Sequence, residues 1–420
     1  MGQNATIVLT LACLALPVVC PAAEEPASAF PGARGFGIRT PAGRGGRILK
    51  VTNLHSEGPG SLRDALAVKG PRTVVFEVGG VIDLQTKELS IAEPFVTVAG
   101  QTAPSPGITL IRGSVVIRTH DVLLRHLRIR PGDAGRAKRS GWEPEVTTFG
   151  PDAHDIVVDH CSLSWAVDEN LSASGPRYEG PRATSRNITF SNCIIAEGLY
   201  DSSHSKGPHS MGSLIHDNCT NVAIIGNLYA HNNQRNPFFK ANTTGVVVNN
   251  VIYNPGRYAI QLDWPASEWK GRPSPQNPRV SIVGNVLLHG ADTAEGLALV
   301  SRKGDAYLAD NLAFDRAGNP AAITAGLIDI LPERPVWPRG LHPLPASRVV
   351  DSVLRRAGAR PKDRDEADRR VVQDVRDRKG RFINSQDDVG GYPKSPMTRR
   401  RLTAPEDVEG WLAKLAAEVE

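Results

Sequence analysis

Two cations stand five positions apart in the stretch "HNNQRNPFFK", residues 231–240: Arg235 and Lys240, with Pro237 between them. The stretch directly follows an apolar, strand-like run, "VAIIGNLYA". Three other polar segments carry the remaining chemistry-bearing side chains. These are "RPGDAGRAKRSGWEPEVTTFG" with Glu145, "SWAVDENLSASG" with Asp168 and Glu169, and "AEGLYDSSHSKGPHSMGS" with Glu197, His204, Lys206 and His209. Carboxylates alone would suit a glycoside hydrolase, which needs an acid–base pair such as Glu145 and Asp168. Carboxylates facing Lys206, Arg235 and Lys240 suit a different chemistry. A divalent ion bridges protein and substrate carboxylates, and cations bind or deprotonate an acidic sugar.

These segments are held by a repeated unit. The runs "DVLLRHLRIR", "DIVVDHCSLS", "NITFSNCIIA", "NVAIIGNLYA", "GVVVNNVIYN", "RVSIVGNVLL" and "AYLADNLAF" each join two short β-branched stretches through a polar position. Those positions are His126, His160, Asn192, Asn227, Asn250, Asn285 and Asn311. Units of strand, bend and strand at irregular spacing, with no helix between, predict a solenoid, and its form is a single-stranded parallel β-helix. Asparagines at one bend of successive coils would stack as a ladder. The polar segments then belong to consecutive coils, and stacking brings them to one surface. That surface is flat and long, which suits an extended polymer.

The ends of a solenoid need covering. "GSLRDALAVKG" predicts a short helix capped by Ser61, placed to close the first coil. The repeats fade after about residue 320. Beyond them lie a Pro-rich segment and three helical stretches, around "ASRVVDSVLRRAGA", "DEADRRVVQDVRDRKG" and "PEDVEGWLAKLAAEVE", expected to pack outside the solenoid. Alternating charges in the second predict a solvated face. The organisation read here is residues 1–23 as a leader, 24–320 as the solenoid and 321–420 as an extension.

The leader is "ATIVLTLACLALPVV" followed by "CPAAEEPASA", the pattern of a secretory signal cleaved near Ala22 or Ala23. Pro17 ends the apolar run too early for a spanning helix, so a secreted protein (extracellular or periplasmic) free of the membrane is expected, with a lipid-anchored Cys20 as the alternative. Net charge is +5 over 420 residues, with Lys and Arg mixed among acids. That is compatible with an acidic partner and is not the footprint of a nucleic-acid binder. Cys161, Cys193 and Cys219 form no CxxC pair; they read as small buried side chains, with one disulfide as the alternative.

In five stretches the chain resembles the pectate lyases of polysaccharide lyase family 1. They are "AFPGARGFGIRTPAGRGGRILKVTNLHSEGPGSLRDAL", "PFVTVAGQTAPSPGITL", "VVDHCSLSWAVDENLS", "HSKGPHSMGSLI" and "HNNQRNPFFK". The tail "GARPKDRDEADRRVVQDVRDRKGRFINSQDDVGGYP" is similar to that of bacterial members. The resemblance implies a right-handed parallel β-helix, a calcium ion (Ca2+) and β-elimination of polygalacturonate to 4,5-unsaturated galacturonides. By resemblance Arg235 is the group at the C5 proton, either as base or as a charge stabilising the enolate, and Lys206 is a second catalytic cation. Lys240 binds substrate, Asp168 binds calcium, and His204 and His209 are candidate sugar contacts beside Lys206. Glu145 takes the place of a second calcium-binding acid.

Two departures stand out. Ser164 occupies a position where a carboxylate ligand is expected, and Phe238 follows Pro237 where relatives carry Arg. Both motivate the alternative of a β-helix that binds acidic polysaccharide without cleaving it. A monomer is expected.

Overall fold

The computed structural model describes residues 1–3 and 27–420; the apolar run of the leader and its cleavage region lie outside the described residues. Short strands stack in parallel from Arg47 to Ile330. One ladder runs through Arg72–Phe76, Val96–Ala99, Val122–Arg125, His154–Asp159, Arg186–Ser191, Thr220–Ile225, Thr244–Val248 and Arg279–Val283. A second contains Ile108–Ile111, Leu127–Arg130, Ser162–Ser164, Ile194–Ala196, Leu228–Ala230, Val251–Tyr253 and Val286–Leu288. A third contains Val146–Phe149, Ser172–Ser174, Leu214–Ile215, Phe238–Phe239 and Ile260–Leu262. The chain visits the ladders in that order in every coil, and the long strand Val300–Ala309 joins the first to the third. This is the expected parallel β-helix. The last parallel strand, Thr324–Ile330, carries the stack past residue 320.

The core follows from strand alternation. Val158, Phe190, Ile224 and Val247 occupy one register of the first ladder and are all buried in the interior. Neighbours of the opposite parity face outward.

The bend between the first and second ladders resolves the recurring polar residues into two columns. His126, His160, Asn192, Asn249 and Asp310 have left-handed backbone, and Gly226 and Gly284 take the same conformation. One residue further on lies the internal ladder: Asn227 donates to Asn250, Asn250 to Asn285 and Asn285 to Asn311 through their side-chain amides. Asn192 therefore belongs to the bend and not to the ladder. Its ladder neighbour is Cys193, whose backbone N–H donates to Asn227 Oδ1 at 2.8 Å. Cys161, Cys193 and Cys219 are buried free thiols, so the disulfide alternative fails.

Helix α1, Leu62–Leu66, starts at Ser61, whose hydroxyl accepts from the Asp64 N–H, and it buries Leu62, Ala65 and Leu66 over the first coils. The extension supplies α2 (Val349–Arg356), α3 (Glu366–Asp377) and α4 (Val408–Val419). Helices α2 and α3 bury Val353, Leu354, Val371, Val372 and Val375 against the outer face of the second ladder. The charged face of α3 departs from the expectation of a solvated surface. Asp368 is buried and, with Asp365, pairs with Arg128 and Arg130, while Arg370 pairs with Glu197. Among the described residues no helix is long and apolar enough to cross a membrane.

Candidate active site

The third ladder and the turns entering it gather the polar segments. Isolated bridges place Glu169, Met211 and Gln234 side by side on successive coils. Asp168 precedes the first of these and Arg235 follows the last. Glu145 lies one coil earlier, at the start of Val146–Phe149, where the Val146 N–H donates to the Glu169 carbonyl at 3.2 Å. Lys240 leaves the strand Phe238–Phe239. Phe239 enters the core, so Phe238 and Lys240 share the outward face.

Arg235 is fixed by its backbone as well as its charge. Its φ is 63°, a left-handed conformation uncommon outside glycine, and its N–H donates to Gln261 Oε1 at 2.7 Å. Gly212 permits this bend, since a Cβ there would meet the Arg235 carbonyl at 2.5 Å. Beneath it, buried amides run from Asn170 to Asn232 at 3.1 Å and from Asn232 to Asn236 at 3.1 Å. The guanidinium forms an ion pair with Glu169. Burial lowers its pKa from the usual Arg value, against the pull of Asp168, Glu268 and Glu145.

The carboxylates respond in opposite ways. Burial, with repulsion from Asp168 and Glu88, pushes Glu145 up to about 7. Burial also acts to raise Asp168, but the hydrogen bond and charge of His209, with Arg235 and His204, bring it below the usual range. His209 Nε2 lies 2.9 Å from Asp168 Oδ1, and the His204 and His209 rings stack 3.7 Å apart. Lys206 projects from the same loop into solvent.

Several expectations change. Ser164 does not face Asp168: it sits on the second ladder beside Ala196, and the left-handed bend at Trp165 separates the two. Glu197 is buried, accepts from Trp165 Nε1 and pairs with Arg370, so it belongs to the seam with α3. Trp165 is buried in a cluster with Val167, Leu199 and Ile383. Lys240 is buried and engaged, paired with Glu268 and lying 3.6 Å from Asp217 Oδ2. Arg177 joins Glu268 at 2.7 Å.

Glu268, Asp217, Arg177 and Gln261 were not legible as site residues. Glu268 comes from the short turn Ala266–Trp269 in an insertion whose fold-back onto Lys240 has no sequence signature. Asp159 pairs with both Arg125 and His160 at the bend, a structural use.

No model of a protein family matches the chain. Among curated proteins, it is 32% identical over 394 residues to the probable pectate lyase C of Aspergillus flavus, covering 91% of this chain and 84% of that protein. The corresponding protein of Emericella nidulans is 32% identical over 398 residues, covering 91% and 85%. Among solved structures, the cedar-pollen allergen Jun a 1 superposes with a TM-score of 0.57 at 18% identity, covering 78% of this chain and 92% of that one. A pectate lyase bound to a hexasaccharide gives 0.54 at 13% identity, covering 80% and 99%. The structural matches carry the fold and the sequence matches carry the kinship: the chain belongs to the pectate lyase family.

Proposed function

We propose that this protein is a secreted, monomeric lyase that cleaves polygalacturonate by β-elimination in the cleft holding Glu145, Asp168, Glu169 and Arg235. The observation that supports it most is the meeting, on consecutive coils, of an Arg fixed in an unusual backbone conformation with three carboxylates.

A divalent cation suits these residues. Burial first, and then repulsion from Asp168, hold the Glu145 carboxyl up at about 7, so a cation between the two carboxylates would relieve both the desolvation and the repulsion. Their oxygens are the hard donors that calcium takes. When bound, calcium would neutralise the uronate carboxylate and acidify the proton on C5.

Arg235 is the group assigned to that proton, with the C4–O bond breaking to leave the unsaturated sugar. Lys206, exposed beside the cleft, is the second catalytic cation of this reading, and Lys240 meets a substrate carboxylate once Glu268 releases it. Arg is ordinarily protonated, so proton removal needs its charged form to be costly; burial works in that direction. The Glu169 ion pair favours a second role, in which Arg235 stays charged and stabilises the enolate. Glu169→Gln separates the two. A base gains neutral fraction, so the activity profile moves to lower pH. A stabiliser loses its support, and activity falls with no displacement of the profile.

The decisive assay is incubation with polygalacturonate, with calcium and with chelator. The expected product absorbs in the ultraviolet and requires calcium. New reducing ends without that absorbance would identify hydrolysis, and binding without turnover would identify a carbohydrate-binding β-helix.

A further inference from the structure

Polygalacturonate carries a carboxylate on every sugar, more than the enclosed cations of the cleft can meet. Arg235 is mostly enclosed and pairs with Glu169, and Lys240 is buried and paired with Glu268. Exposed cations gather instead on the rim, in the loop that precedes Glu145. Arg136, Lys138 and Arg139 are exposed there, as is Lys206 in the loop two coils on. Of the nearby acids, Asp133 is buried with Gln386 and Glu143 accepts from the Ser205 N–H; Asp201 is the one that pairs with these cations.

Backbone bonds join the two loops into one rim. The Arg139 N–H donates to the Ser202 carbonyl at 3.0 Å, the Gly141 N–H to the Ser203 carbonyl at 2.9 Å and the Ser203 hydroxyl to the Trp142 carbonyl at 2.6 Å. Arg139 has left-handed backbone, with φ 62°. Its guanidinium lies over Gly207, where a Cβ would approach Nη1 to 2.5 Å. Gly207 follows Lys206, whose N–H donates to His204 Nδ1 at 3.1 Å. That leaves the His204 Nε2–H facing Asp168 Oδ1 at 3.9 Å. This chain of contacts sets Arg139 and Lys206 beside the acid of the cleft. Charges held ready in this way bind without the cost of ordering a loop.

Lys138 and Arg139 keep 61% and 52% of their side chains exposed and share Asp201, at 2.7 and 3.6 Å. Exposed pairs of this kind contribute little, so a second carboxylate recruits either cation easily. We infer that Lys138 and Arg139 form a carboxylate-binding subsite, which holds an unesterified uronate beyond the sugar at Arg235 and makes binding depend on free acid groups rather than methyl esters. The inference rests on the lyase reading above for its polymer and leaves the bond cleavage to the cleft.

The test is binding, read by electrophoresis of the full chain through gels containing polygalacturonate or its methyl ester, in chelator. Native protein should bind the free acid at least about 10-fold more tightly than the ester. Lys138→Gln/Arg139→Gln should lose about 5- to 10-fold in affinity for the free acid, the scale of two exposed pairs, and nothing for the ester. In the elimination assay the loss should fall on KM, with kcat retained. Arg355→Gln/Arg356→Gln removes the same charge from exposed positions on α2 and should bind as the native chain does. Sodium chloride should weaken the native preference for the free acid, a reading that needs no variant. The subsite is overturned if the Lys138→Gln/Arg139→Gln protein keeps the native preference, if the α2 variant loses as much, or if the native chain does not distinguish acid from ester, even where unsaturated product forms. A preference that the rim variant loses, in a chain that forms no unsaturated product, would retain the subsite and sink the lyase reading.

Discussion

Two arginines on different ladders of the solenoid, Arg130 buried and Arg235 partly exposed, show how one residue type serves two ends. Arg130, on the second ladder, meets Asp368 at 2.8 Å and also pairs with Asp365, both brought by α3. Burial opposes its charge, but those two carboxylates outweigh it and hold the guanidinium above its usual value. Arg235, at the entry to the third ladder, keeps about a fifth of its side chain exposed and has a lower pKa than usual, because the burial of the rest outweighs its acidic neighbours. The seam is closed: charges are matched and a helix covers them. The cleft is open and unevenly matched, with Glu145 held up at about 7 and Lys206 in solvent. Perturbed groups in an accessible cleft mark chemistry, and matched groups beneath a helix mark assembly.

The largest effect that would test this contrast is on turnover. Arg235→Ala should lower polygalacturonate elimination by at least about 1,000-fold, roughly 4 kcal/mol in barrier, with a loss of stability smaller than that of Arg130→Ala, since it unpairs Glu169 alone. Arg130→Ala should do the reverse. Removing Arg130 leaves the two carboxylates of Asp365 and Asp368 with Arg128 alone, at a cost of about 3 kcal/mol, read by denaturant unfolding, while turnover per folded molecule is retained. If both variants lose stability equally, the contrast between the two regions is wrong.

Next in size is Asp168→Asn. One formal charge leaves the carboxylate side of the cleft, so the free calcium needed for half-maximal activity should rise about 10-fold or more. An unchanged calcium dependence after chelation would move the metal elsewhere.

Glu145 gives a pH signature. Its folded pKa, about 7, lies above its ordinary value. The folded state therefore holds a proton that the unfolded state has lost, and stability is surrendered as pH rises from about 4.5 through 7. Glu145→Gln should leave the melting temperature unchanged near pH 4 and raise it by about 1–3 °C at pH 8. A constant difference across that range would show that burial of Glu145 is not what distinguishes the cleft.

The smallest effect belongs to Glu268. Its carboxylate occupies Lys240 in the free protein, so Glu268→Gln should tighten binding of oligogalacturonate by about two- to threefold at unchanged maximal rate. Weaker binding would mean that Glu268 itself holds substrate.

The solenoid was legible because strand, bend and strand recur in every coil; the polar segments with Arg235 and Asp168 were legible as neighbours because they lie on successive coils, and the roles proposed for the two residues came from the resemblance. The sequence misled at Ser164, read as standing at a ligand position, because the left-handed bend at Trp165 turns the chain between Ser164 and Asp168. It misled at α3, where alternating charge looked solvated but is matched by Arg128 and Arg130 from far along the chain. Glu268 and Glu197 show the same limit: their partners are set by how an insertion and a tail fold back, which local pattern does not encode.

The central claim is that the cleft, through the guanidinium of Arg235, carries out elimination. Arg235→Lys tests it most directly, since it keeps a positive charge while removing the planar fork and its reach. Native protein with polygalacturonate and calcium should accumulate ultraviolet-absorbing unsaturated product, and Arg235→Lys should form it at less than about a tenth of that rate, a difference exceeding about 1.4 kcal/mol. Retention of more than a tenth of native activity by a folded Arg235→Lys protein would contradict the account.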